Sequence, residues 1–160
     1  MKAKRMLYVS LSSLDQNIND ADRKISILVE CKEKSFKQES GVAVNFFAAN
    51  PRQTNENRDI LFHFNPRPRN TLVLNTFLQN GWQEEVFLRD DEFSTKLFEN
   101  PFKLTIKVTD AEDTPKQMTA FGVFVNNTFL TTYLCPADIT MASFIGFSPN
   151  LRISANIEDF

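Results

Sequence analysis

The chain has 160 residues, eighteen basic against twenty acidic, for a formal net charge of -2. That length makes one domain by the usual size prior, residues 1–160 with the core from about 7 to 157. The balanced, scattered charge gives no electrostatic reason to expect nucleic acid or an anionic membrane as the main partner, and sixteen phenylalanines against four glycines exclude a fibrous or flexible chain.

The opening stretch, MKAKRMLYVSLSSLDQN, is basic at its start but has no apolar run long enough for a secretory leader. No run approaches the ~18 apolar residues of a membrane span, so membrane insertion is not expected. Cytoplasmic synthesis is the expectation. Two cysteines, Cys31 and Cys135, fit a reducing compartment better than a disulfide framework. Arg5 to Leu11 reads as a first strand and a candidate sheet edge. Leu14 to Arg23 is polar and turn-rich, without a helical stripe. Lys24 to Lys32 alternates, with Ile25, Ile27 and Val29 on one face. Gly41 to Ala49 is a strand dense in apolar residues, and Asn50 to Arg58 is a loop by composition.

Asp59 to Asp90 contains the only histidine and the only tryptophan. As a strand, it places His63, Asn65 and Arg67 in a row on one side. Phe62 and Phe64 then point the other way, with Ile60, as the buried face. Asn70 to Leu78 reads as a second strand, with Val73, Asn75 and Phe77 sharing a face. Asn80-Gly81 is a strong hairpin signal, because both central residues of a type I′ turn need positive φ. Trp82 follows that turn, and Gln83 to Leu88, carrying Glu85, is the returning strand. An indole beside Arg, Asn, Glu and His suits a pyranose: the sugar's C–H face lies on the ring and its hydroxyls meet planar donors and acceptors.

Beyond this stretch, Asp90 to Asn100 is turn-like, with Phe93, Leu97 and Phe98 as anchors. Phe102 to Thr109 alternates, with Phe102, Leu104, Ile106 and Val108 toward the core and Lys103, Thr105 and Lys107 toward water. Asp110 to Lys116 is a turn cluster. Gln117 to Val125 and Thr128 to Leu134 form a hairpin across Asn126-Asn127, a pair tolerant of positive φ. Asn126-Asn127-Thr128 also fits the N-glycosylation pattern, which carries little weight without a secretory signal. Met141 to Phe147 and Leu151 to Ile157 close the chain. About eleven short strands and no convincing helix argue an all-β sandwich.

His63-Phe64-Asn65-Pro66-Arg67, then Val73-x-Asn75, then Trp82-x-x-Glu85, resembles the galectin signature H-x-N-P-R … V-x-N … W-x-x-E-x-R. Every signature position but the last arginine matches in order, and the likeness runs from roughly Leu7 to Ile157. The resemblance implies a jelly-roll-like β-sandwich of two antiparallel sheets, galectin/concanavalin A-like, with the sugar site on the concave face. It implies a non-catalytic lectin for β-galactose-containing glycans, with no metal and no cofactor. His63, Asn65 and Arg67 would bond the axial 4-hydroxyl of galactose. Trp82 would stack on the ring, and Asn75 and Glu85 would bond the 6-hydroxyl. Galectins lack a signal sequence and many leave the cell by an unconventional route, so an extracellular role is open. Many also dimerise through terminal edge strands, here Arg5 to Leu11 and Leu151 to Ile157.

Two departures concern the second sugar. Phe87 stands where the signature has its second arginine, and only seven residues separate Arg67 from Asn75. Arg69, Asn70, Phe87, Asn50 and Arg52 are the candidates for an altered second subsite. The rival reading is a galectin-fold structural or protein-interaction module with weak or no sugar binding. An enzyme lacks its groups: a glycosidase needs two carboxyls flanking one bond at ~5–10 Å, and only Glu85 falls on the polar face. One histidine and two distant cysteines have no metal-ligand spacing.

Overall fold

The computed structural model describes residues 5–19, 21–32, 40–52, 58–79, 81–109 and 114–155. Among them are twelve strands. The first seven are β1 (Leu7–Ser10), β2 (Lys24–Cys31), β3 (Val44–Phe47), β4 (Ile60–Arg67), β5 (Thr71–Leu78), β6 (Gly81–Trp82) and β7 (Val86–Arg89). The rest are β8 (Phe102–Val108), β9 (Thr119–Val125), β10 (Thr128–Cys135), β11 (Phe144–Phe147) and β12 (Leu151–Ala155). They form two antiparallel sheets. One has the order β1-β11-β3-β4-β5-β6, with β7 also pairing β5; the other runs β10-β9-β8-β2-β12. The terminal strands β1 and β12 are edges of different sheets. Short helical turns at Ser12–Leu14, Thr95–Glu99 and Ile139–Met141 join strands, where no helix was expected; the second lets Leu97 and Phe98 reach the core.

The core lies between the sheets and follows the period-2 alternation of the strands. Ile25, Ile27 and Val29 of β2 and Phe102, Leu104, Ile106 and Val108 of β8 face it from one side. Phe46, Phe62, Phe64, Leu72 and Leu74 face it from the other. The Phe62 ring stands edge-on to Phe121, 4.9 Å between centroids, and 5.1 Å from Tyr133. Each such ring contributes ~1.5–3 kcal/mol of burial plus ~0.5–1.5 for the aromatic pair.

Four expectations are corrected. Ile60 does not share the buried face with Phe62: Leu61 and Phe62 together oppose the single residue Thr76, a β-bulge, so Leu61 enters the core and Ile60 stays half-buried on the other face. The hairpin after β5 turns one residue earlier than Asn80-Gly81 would set it. Gly81 pairs with Leu78 at φ 111°, and Trp82 packs on Phe77 at 5.2 Å; Asn80 lies outside the described residues. Gln83 to Leu88 is not one strand, because Gln83, Glu84 and Glu85 span what Asn75 and Thr76 span on β5. That extra residue breaks the ladder between β6 and β7. Thr105 is buried, not water-facing, since its hydroxyl bonds that of Ser26 at 2.7 Å. The Asn126-Asn127 hairpin forms as expected, with φ of 52° and 66°.

Candidate functional site

The bulge at Leu61 brings β4 into register with its neighbours so that Asn45, His63 and Asn75 lie in one line across β3, β4 and β5. The next line is Asn65, Val73 and Phe87, across β4, β5 and β7. These lines face away from the core. Trp82, half exposed at 51%, closes one side against the His63 ring, 4.7 Å between centroids. The result is an open cleft of about 580 Å³ lined by His63, Asn65, Arg67, Asn75, Trp82 and Glu85, with Ser40 to Ala43, Gln83 and Ser148 around them.

His63 is mostly buried, and burial pushes its pKa down to about 4; the nearby Asn65 amide, which would favour a protonated ring, opposes this and the Arg67 charge adds to it. The imidazole is therefore neutral near pH 7. Its Nδ1 bonds Asn45 Oδ1, while Asn45 Nδ2 donates to Met6 Sδ. An amide oxygen only accepts, so Nδ1 carries the proton and Nε2 is left as an acceptor.

Arg67 is fixed at two points. Its Nε donates to Asn65 Oδ1 at 2.8 Å, and its Nη2 lies 3.5 Å from Glu85 Oε1. The ion pair is 32% exposed at Arg67 and 40% at Glu85, so it contributes at most ~1 kcal/mol to stability and acts by orienting both groups. The break between β6 and β7 is what swings Glu85 toward Arg67. Asn65, 4% exposed, donates through Nδ2 to the carbonyls of Ser40 and Val42 at 2.8 and 2.7 Å. It ties the arginine to the chain entering β3. Asn75, 2% exposed, accepts the Thr76 N–H on Oδ1 at 2.8 Å, which leaves Nδ2 as its donor. Together these groups offer an acceptor at His63, donors at Arg67 and Asn75, a carboxylate at Glu85 and a flat apolar ring.

The candidates for a second subsite separate. Phe87 is 60% exposed and in line with Val73 and Asn65. Arg69 and Asn70 make the tight β4–β5 turn at φ 64° and 57°, and Asn70 Oδ1 holds the N–H and hydroxyl of Ser94. Asn50 Oδ1 accepts the Arg52 N–H at 3.0 Å, and the Arg52 guanidinium sits 5.2 Å over the Tyr8 ring. None of the five candidates, Phe87 included, lines the cleft itself; Phe87 stands on the row beside it.

Two contributors escaped the sequence reading. Asn45, which sets the His63 tautomer, was visible as the one polar residue inside an apolar strand. Gly41 sits at φ 69°, where an added Cβ would lie 1.9 Å from the Pro66 carbonyl oxygen. Only glycine lets that segment close on β4. Among the described residues, no group of three His, Cys, Asp or Glu could hold a metal ion, and no helix is long and apolar enough to cross a membrane.

The family model described as galactoside-binding lectin matches residues 18–155. A comparison with curated proteins finds no match. Sheep galectin-11, solved with glycerol, is 17% identical with a TM-score of 0.62, over 97% of this chain and 96% of its own. A toad ovary galectin solved with thio-digalactose is 14% identical with a TM-score of 0.53, over 95% and 98%. A homodimeric agglutinin from chicken liver is 15% identical with a TM-score of 0.51, over 94% and 97%. At these identities the likeness establishes the fold.

Proposed function

We propose that this chain, which belongs to the galactoside-binding lectin family, binds β-galactosides through a terminal galactose, without catalysis. One observation carries the reading: His63, Asn65 and Arg67 on β4 meet Asn75, Trp82 and Glu85 around a single cleft. The thio-digalactose bound by the toad protein is of the same chemical class. Galactose lays its C–H face on Trp82. Its axial 4-hydroxyl donates to His63 Nε2 and accepts from Arg67, and its 6-hydroxyl lies between the Asn75 amide and the Glu85 carboxylate. Glucose carries that hydroxyl equatorially and would leave these groups unpaired, which is the basis of selectivity.

The second sugar meets Phe87 where the family signature has an arginine. An exposed phenyl ring offers an apolar face and no hydrogen bond, so an aglycone with an apolar face gains over one that relies on hydroxyls. Two copies paired through β1 or β12 would present two sites and cross-link glycans by avidity; the chicken agglutinin is itself a homodimer.

The test is titration of Trp82 fluorescence with lactose, sucrose serving as control. Arg67→Ala weakens lactose by roughly thirtyfold or more, the ~2 kcal/mol of a hot-spot contact. Silence up to tens of millimolar lactose in the wild type would instead favour the interaction-module reading, which Phe87 in place of the signature's arginine keeps alive.

A further inference from the structure

The polar groups beneath the cleft are not needed to contact a ligand, yet they meet at one atom. At the bulge Leu61 has no cross-strand partner on β3 or β5, and its carbonyl oxygen meets side-chain donors. That oxygen turns into the inter-sheet space. There it accepts from the Thr76 hydroxyl at 3.0 Å and the Cys135 thiol at 3.1 Å. The Thr76 hydroxyl, its proton committed to Leu61, accepts in turn from Tyr133 at 2.7 Å. Thr76 and Cys135 are 0% exposed and Tyr133 is 4% exposed, so water cannot replace any of these bonds.

We infer that the Thr76 hydroxyl, backed by Tyr133 of the opposite sheet, is a positioning group that holds the Leu61 bulge and thereby sets His63 opposite Asn75 in the cleft. The geometry gives the reason. A one-residue slip turns every side chain of a strand to the other face. The bulge absorbs such a slip between Ile60 and His63, so that Leu61 and Phe62 both reach the core while His63, Asn65 and Arg67 stay on the open face. Thr76 is the residue that faces the two-residue bulge, and it follows Asn75 directly. Its hydroxyl anchors the bulge, and its N–H anchors the Asn75 side chain. One residue thus couples both halves of the His63–Asn75 pair, at a distance from any ligand.

The inference rests on the galactoside reading for its affinity arm only. His63 and Trp82 are the only histidine and tryptophan, so their ring resonances report the cleft without sugar. In the full chain, Thr76→Val removes the hydroxyl at nearly constant shape, and Thr76→Ser restores it. Thr76→Val is expected to stay folded by circular dichroism, shift the His63 imidazole and Trp82 indole signals, and weaken lactose by roughly tenfold. Thr76→Ser returns both toward wild type. If Thr76→Val does not fold, Tyr133→Phe, which deletes only the outer hydroxyl, must produce the same shifts in smaller measure. Unmoved His63 and Trp82 signals in a folded Thr76→Val or Tyr133→Phe would overturn the inference. A wild type that ignores lactose would sink the galactoside reading and leave the resonance arm intact.

Discussion

At the residue scale, His63 determines how the site responds to pH. Its folded pKa of about 4 lies below the ordinary 6.5, so the unfolded chain takes up a proton first as pH falls. The stability that comes from holding His63 neutral is complete above about pH 6.5 and is lost as pH falls through about 4. Binding follows the folded value: lactose affinity should be flat from pH 8 to about 5 and drop as Nε2 is protonated near 4. Calorimetric titration across that range checks it; a fall centred on pH 6.5 would contradict a buried neutral imidazole. Phe87 makes the second residue-scale prediction. Phe87→Arg should raise lactosamine affinity at least ~5-fold, about 1 kcal/mol for a new charged hydrogen bond, while lowering affinity for nitrophenyl β-galactoside. Parallel titrations with the two ligands separate these effects.

At the element scale, the chain entering β3 decides the shape of the cleft, because Asn65 holds the Ser40 and Val42 carbonyls and the Val42 N–H returns to the Pro66 carbonyl. Gly41 makes that closure possible. Gly41→Ala should cost at least ~1–3 kcal/mol, from a left-handed backbone and a clash with Pro66. Arg67 would lose its orientation with it, so denaturant midpoints and lactose affinity should fall together. The elements of the site were legible to different depths. The β4 row follows from period-2 alternation alone, and Asn126-Asn127 from turn chemistry. The bulge at Leu61 and the break at Gln83 to Glu85 left no local signature, because each is a register difference between two strands.

At the scale of the whole molecule, the sandwich joins the cleft to the opposite sheet through Phe62, whose ring contacts Phe121 and Tyr133. Phe62→Ala should destabilise the fold by about 3–5 kcal/mol, read as a lower thermal midpoint. His63 follows Phe62 on the same strand, so lactose binding should weaken even in the folded fraction.

The sequence by itself determined the class of fold and pointed to six of the residues that line the cleft. Alternation reports which face of a strand is buried, and the spacing of His63, Asn65 and Arg67, then Asn75, Trp82 and Glu85, keeps their order along the chain. Only the tertiary structure decided which of them meet, and through which atoms. It assigned Asn45 to His63, enclosed Asn65 against Ser40 and Val42, drew Glu85 to Arg67, and separated Asn70 and Arg52 from the cleft. The physical reason is that register between strands distant in sequence is settled by bulges and buried hydrogen bonds, which depend on both partners at once.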